Sequence, residues 1–334
     1  MNIGKNKREN PRNDTQQIAF LLGSCFLLAG LPKAAQAKIT LIREWKAAPV
    51  LLQNVEFSPN GEQLLTASGG GVAQLWSLEG KPGAIMEGER PPMFNAHFNK
   101  LGSKFITTSY NGTISIWNKY GILVKTLAIH KAAVADARFV GNDGSFVSSS
   151  DDGQIVMRNG NGSPIWSDIY PGTARQLAVS GQNNLIAGAS DSGTLHLVAL
   201  GNYARPKMVK TVQTPHGRIN QLSISGDGEK IAAAGIDGTV TIWSKDGSQL
   251  SRVKASSKGW ANGGIFCKNK NGPLLTVGDD GVIKEWSEKG KELAVLKLSD
   301  SSRLTKVDCS ASGKFAAVVG SQGELWLLGI TPNP

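Results

Sequence analysis

From Lys38 onward, apolar residues come in short runs separated by glycine-bearing turns, a rhythm that predicts many short strands. One phrase recurs seven times without gaps: a glycine, then alternating side chains, then an apolar or tryptophan position five residues on. It runs from Gly71 to Trp76, Gly112 to Trp117, Gly153 to Arg158, Gly193 to Val198, Gly238 to Trp243, Gly281 to Trp286 and Gly323 to Leu328. The intervals between the glycines are 41, 41, 40, 45, 43 and 42 residues. That steadiness fits one four-stranded unit of about 40 to 45 residues repeated around a ring.

A second signature precedes each phrase: an apolar strand, a turn ending in glycine, and another strand rich in small residues. Phe57-Ser-Pro-Asn-Gly61 carries it best, and Phe98 to Gly102, Ile224 to Gly228 and Cys309 to Gly313 repeat its spacing. A third turn follows the tryptophan position, as in Trp243-Ser-Lys-Asp-Gly247. Strand, turn, strand, turn, strand, turn and strand describe one antiparallel sheet.

These residues resemble the WD40 family, whose units end in Gly-x-x-x-x-Trp after an Asp-Gly turn, and the likeness covers about residues 38–330. It implies an all-β, seven-bladed β-propeller. The departures are specific. Ser or Asn follows the tryptophan in place of Asp, Arg158, Val198 and Leu328 replace tryptophan in three units, and the Gly-His pair survives only as echoes at His130 and His216. They put in question the side-chain hydrogen-bond network of the family, not its architecture. The last unit stops at Ile330 without a fourth strand, while Lys38-Ile-Thr-Leu-Ile-Arg-Glu-Trp45 precedes the first unit as a spare. Residues 38–46 are therefore expected to complete the seventh blade and remove an open sheet edge.

Residues 1–37 read as a signal peptide with a basic start, an apolar run from Ile18 to Leu31, and Ala35-Gln36-Ala37 as the cleavage site. That run is too short for a stable membrane span. Leu22-Gly23-Ser24-Cys25 resembles a lipobox and offers a competing, lipidated envelope-assembly reading, against which the apolar run continues past Cys25. The expectation is an exported chain, residing in a periplasm or in another extracytoplasmic space such as a thylakoid lumen. Residues 331–334 are expected to form a short tail. The net charge is +10, and residues 38–334 keep 31 basic against 24 acidic residues, a balance that favours anionic partners. Cys267 and Cys309 occupy equivalent places in neighbouring units. Adjacent blades are expected to hold them too far apart for a bridge, leaving two small buried hydrophobes.

No catalytic constellation emerges. His97, His130, His196 and His216 fall in four units without Asp or Cys partners at motif spacing, and Asp152, Asp237 and Asp280 precede repeat glycines, where turn chemistry explains them. No phosphate loop, zinc-binding spacing or other cofactor motif is present, so neither a metal nor a cofactor is expected. The resemblance implies that partners dock on the loops linking one blade to the next. Those loops carry Trp45, Arg90, His130, Lys131, Tyr170, Arg175, His216, Arg218, Lys258, Trp260 and Arg303, a rim of basic and aromatic residue types that dominate binding hot spots. The expected function is a monomeric, non-enzymatic scaffold that binds a protein through this rim and does not bind nucleic acid. A small-ligand or enzymatic propeller using the central channel is the alternative.

Overall fold

A glycine heads each phrase because the chain must turn sharply there and pass close to a neighbouring loop. At Gly281, with φ 72°, a Cβ would run into the Ser299 carbonyl, and at Gly323, with φ 92°, into that of Ala48. The computed structural model describes residues 38–331 apart from 88–91, 170–171, 181–183, 202–205 and 268–271. Within them lie 28 strands, β1–β28, and no helix long and apolar enough to cross a membrane.

The strands form seven four-stranded antiparallel sheets. The first blade comprises β2 (Leu52–Phe57), β3 (Gln63–Ser68), β4 (Val72–Ser77) and β5 (Pro82–Glu87), in that order. The other innermost strands are β6 (Met93–Phe98), β10 (Val134–Phe139), β14 (Ala174–Ser180), β18 (Ile219–Ile224), β22 (Ala261–Phe266) and β26 (Leu304–Cys309). Each touches the next, and β26 touches β2, so the ring is closed. In the seventh blade the order is β1 (Lys38–Lys46), β28 (Glu324–Thr331), β27 (Phe315–Gly320), β26. β1 pairs antiparallel with β28 from Lys38–Thr331 to Lys46–Glu324, as expected for the spare strand.

Apolar side chains fill the seams between blades. Ile265, Leu275, Val277 and Ile283 of the sixth blade pack against Val307, Val318 and Trp326 of the seventh. Cys267 and Cys309 lie at this seam, fully buried, and here the sequence expectation is corrected. Their Cα atoms are 5.2 Å apart and a disulfide joins them. Inner strands crowd around a narrow axis, so equivalent positions of adjacent blades approach far more closely there than at the perimeter.

One buried side chain in the sixth blade breaks the apolar pattern. Glu285, in β24 (Val282–Trp286), takes the place that Leu75, Ile116 and Ile242 hold in other blades, and is 1% exposed. Among the described residues, its Oε2 has no hydrogen-bond partner, and burial pushes its carboxyl up from 4.5 to about 6. A carboxyl raised in the folded state holds its proton more tightly there than when unfolded, so the folded chain loses stability as pH rises from 4.5 through 6. Glu285→Leu should therefore stabilise the protein by about 2 kcal/mol at pH 7.5 and by much less at pH 4.5, as urea unfolding at the two pH values would read.

The innermost strands leave one edge open to the channel, and their unpaired backbone groups need partners. Side chains of the preceding blade supply them. Asn54, Asn95, Asn220 and Asn262 donate Nδ2–H to the carbonyls of Ala96, Ala135, Ala261 and Leu304 at 2.9, 2.7, 3.1 and 2.9 Å, and Thr305 donates to Leu52 O at 2.7 Å. Further along the channel the sense reverses. Backbone N–H groups of Phe57, Phe98 and Leu177 donate to the carboxylates of Asp308, Glu56 and Asp136 at 2.7, 3.1 and 3.0 Å. Polar side chains from the repeat's innermost strand thus tie neighbouring blades together at six seams.

Candidate binding face at the channel mouth

Six innermost strands are bulged at their second residue: Gln53, Ala135, Arg175, Asn220, Asn262 and Thr305 each stand as the extra residue in the ladder. A bulge redirects a side chain at a sheet end, and all six line a cavity of about 350 Å³ at one channel mouth. Arg175, Arg218, Arg303 and Lys306 line it with Trp260 and the carboxamides of Gln53, Asn95, Gln176, Asn220 and Asn262. No carboxylate of the described residues contributes to the lining.

The acidic turns on this face already have partners. Asp151 and Asp191 each hold Arg175 at 3.1 Å. Asp279 accepts from Trp260 N at 3.0 Å and Asn262 Nδ2 at 2.7 Å, and Asp280 accepts from Ser257 N at 2.7 Å. Arg218 lies over the Trp260 ring at 5.6 Å. Among the described residues no carboxylate makes a close ion pair with Arg218 or Arg303, although the charge of Arg218 is felt at Asp151. Lys306 reaches into the mouth from inside β26 and donates to Gln176 Oε1 at 3.2 Å and to Asn220 O. Burial pushes its amine down to about 7, against the pull of Asp136.

Of the residues expected at the rim, Arg175, Arg218, Trp260 and Arg303 converge on this mouth. Lys131 and Lys258 are exposed on their loops but do not line it. Arg90 and Tyr170 lie outside the described residues, as does the whole of the expected signal segment. Trp45 sits at the perimeter in β1, packed against Trp76 with ring centroids 6.2 Å apart. His130 and His216 have fully buried side chains, so neither can touch a partner.

What those histidines do instead is shape the loops, and the hydrogen-bond network questioned from the sequence survives in pieces. His130 Nδ1 meets Asp152 at 3.1 Å and Nε2 meets Ser148 Oγ at 2.8 Å. His216 Nδ1 meets Asp237 at 3.0 Å. Burial holds both rings below their ordinary pKa although the carboxylates oppose it. In three other blades the tryptophan Nε1–H donates to a threonine ten residues earlier: Trp76 to Thr66, Trp117 to Thr107 and Trp286 to Thr276, at 3.0, 2.9 and 2.8 Å. The fifth blade has Ala233 at that position, and among the described residues both His216 Nε2 and Trp243 Nε1 are left without partners. A hydroxyl there would accept from the indole and donate to the imidazole. Ala233→Ser should raise stability by about 1 kcal/mol, seen as a higher melting temperature, whereas the same change in a His216→Ala background should gain less.

The far end of the channel holds a different cluster. His97 Nδ1 lies 2.9 Å from Glu56 Oε2 and Nε2 lies 3.0 Å from Asp136 Oδ1, with Arg138 Nε 3.3 Å from Asp136 Oδ2. Both ring nitrogens therefore face carboxylates, the arrangement of an imidazolium. Burial and Arg138 lower its pKa, but Glu56 and Asp136 outweigh them and the ring is raised above its ordinary value. Among the described residues no group of three or more His, Cys, Asp and Glu side chains is arranged to hold a metal ion.

Sequence reasoning missed Lys306 and the carboxamides, which lie inside strands and not in loops. The signal was a column: the second and third residues of the seven innermost strands read Gln-Asn, Phe-Asn, Ala-Asp, Arg-Gln, Asn-Gln, Asn-Gly and Thr-Lys.

Comparison with known proteins agrees with this architecture. The family model described as WD domain, G-beta repeat matches residues 207–244. The chain is 38% identical to the WD repeat-containing protein slr1409 of Synechocystis over 88% of its own length and 88% of that protein's. It is 34% identical to the uncharacterized WD repeat-containing protein slr1410 of the same organism, over 74% of this chain and 79% of the relative.

Proposed function

Since the chain belongs to the WD-repeat family, whose propellers commonly mediate protein interactions, we propose that it is an exported, non-enzymatic scaffold that binds a protein partner through the channel-mouth face. The observation that carries this reading is the convergence of Arg175 from β14, and of Arg218, Trp260 and Arg303 from three separate loops, on one cavity. Arginine and tryptophan are the side chains that most often anchor interfaces. Export is supported by the buried Cys267–Cys309 disulfide, a bond that persists in oxidising compartments and is rare in reducing ones.

Affinity capture from the native envelope, with the mature chain as bait, tests the scaffold. A partner recovered by the wild type, identified, purified and shown to bind it directly, should be lost with Arg218→Glu/Trp260→Ala, whose side chains are exposed. Equal binding by the variant would sink the assignment of this face. Fractionation with sequencing of the mature N-terminus tests export: Lys38 as the first residue is expected, and a lipidated Cys25 would establish the envelope-anchored alternative instead.

A further inference from the structure

The channel mouth is not a generic basic surface, and its chemistry narrows what can enter. We infer that it receives a carboxylate carried on an extended segment of the partner protein, an aspartate or glutamate side chain inserted between Lys306, Arg218 and Arg303. This rests on the scaffold reading above and adds the class of group recognised.

An ammonium has three donors. Two of those on Lys306 go to Gln176 and Asn220, leaving one for a ligand. Arg218 and Arg303 flank the same cavity without a carboxylate partner among the described residues, and the lining offers carboxamides but no acid. Asp151 and Asp191, the acids beside it, are already engaged by Arg175. A carboxylate therefore meets three cations, Lys306, Arg218 and Arg303, in a lining that holds no acid, while an arginine or lysine side chain would meet repulsion. The exposed face of Trp260 beside Arg218 supplies an apolar shelf for the chain that carries the group. A peptide also suits the opening better than a free anion, because a cavity of about 350 Å³ is much larger than a lone carboxylate needs.

The test uses the mature propeller and a fluorescein-labelled peptide, Ser-Gly-Trp-Glu-Asp-Glu-Gly-Ser, with its Gln-Asn-Gln counterpart and free glutarate as controls. Fluorescence anisotropy should show the acidic peptide binding at least tenfold more tightly than the amide peptide. The preference should weaken as salt is raised and fall by tenfold or more in Lys306→Met. Because Lys306 also ties β26 to β14 and β18 across the channel, Arg218→Gln/Arg303→Gln, altered only at exposed side chains, provides a second arm with the same expected loss. Equal binding of the two peptides, no binding of either, or unchanged affinity in both variants overturns the carboxylate assignment. Glutarate binding as tightly as the peptide would also overturn it, in favour of a free small anion. These failures are distinguishable from failure of the scaffold reading. A partner captured through Arg218 and Trp260 but indifferent to Lys306→Met would leave the face assigned and the carboxylate rejected.

Discussion

Replacing the bridge by Cys267→Ala/Cys309→Ala should lower the unfolding free energy by about 4 kcal/mol, the loop-entropy contribution expected for a crosslink between cysteines 42 residues apart. The loss should appear as a fall in melting temperature on the order of 10 °C. Treating the wild type with a reductant strong enough to reach a buried bond should reproduce it. The bridge closes one blade of chain onto the next, at the seam between the sixth blade and the one completed by β1. Single substitutions should cost as much as the pair, since either removes the crosslink. If the double variant melts with the wild type, the two thiols are the separate buried hydrophobes that spacing alone suggested.

The second large effect concerns the charge cluster at the far end of the channel. Asp136 is fully buried and receives His97 at 3.0 Å, Arg138 at 3.3 Å and the Leu177 amide at 3.0 Å. Removing one member of such a set leaves the others charged and without their partner, and Asp136→Ala should cost roughly 3–5 kcal/mol in urea unfolding. Its pH behaviour has a definite sign. Burial alone would raise the Asp136 carboxyl, but Arg138 and His97 beside it hold it far below the ordinary 3.8. An acid depressed in the folded state contributes stability that is complete above 3.8 and is lost as pH falls towards the folded value. His97, raised in the folded state, contributes below 6.5 and loses that contribution as pH rises through its elevated value. Wild-type stability from this cluster should thus be greatest between about pH 4 and 6.5, and Asp136→Ala should flatten the profile at both ends. A variant that retains the wild-type acid limb would place the acid sensitivity elsewhere.

How much of this was legible beforehand depended on repetition. The phrase ending at Trp76, Trp117, Trp243 and Trp286 declares itself because each blade needs the same turn and the same seam residue. The closing strand could be read for a related reason: one unit lacked a strand and the chain had one to spare. Loop arginines such as Arg218 and Arg303 were visible because loops are few and short. Lys306 was not, because it lies inside a strand, where only its place in the column of second and third residues of the innermost strands marks it as facing the channel. Nor was the set of Glu56, His97, Asp136 and Arg138, contributed by three different units and brought together only by curvature. His130 and His216 look like loop residues available to a partner, and only the depth of their seats beside Asp152 and Asp237 shows them to be fixtures of the scaffold.

The pairing of β1 with β28 also governs how the ring can form. Thr40 and Gly329 face each other at a sequence separation of 289, whereas the other blades are assembled from strands that follow one another directly. Six blades can zip up from local hairpins, but the seventh incurs the loop-closure entropy of almost the entire domain in one event. Closure therefore adds contacts of very large sequence separation, which raise the contact order of the fold and slow its formation. Until it happens, β28 presents an unpaired edge that another copy's first strand would fit as well as its own, making strand exchange between molecules the characteristic misfolding route of this propeller.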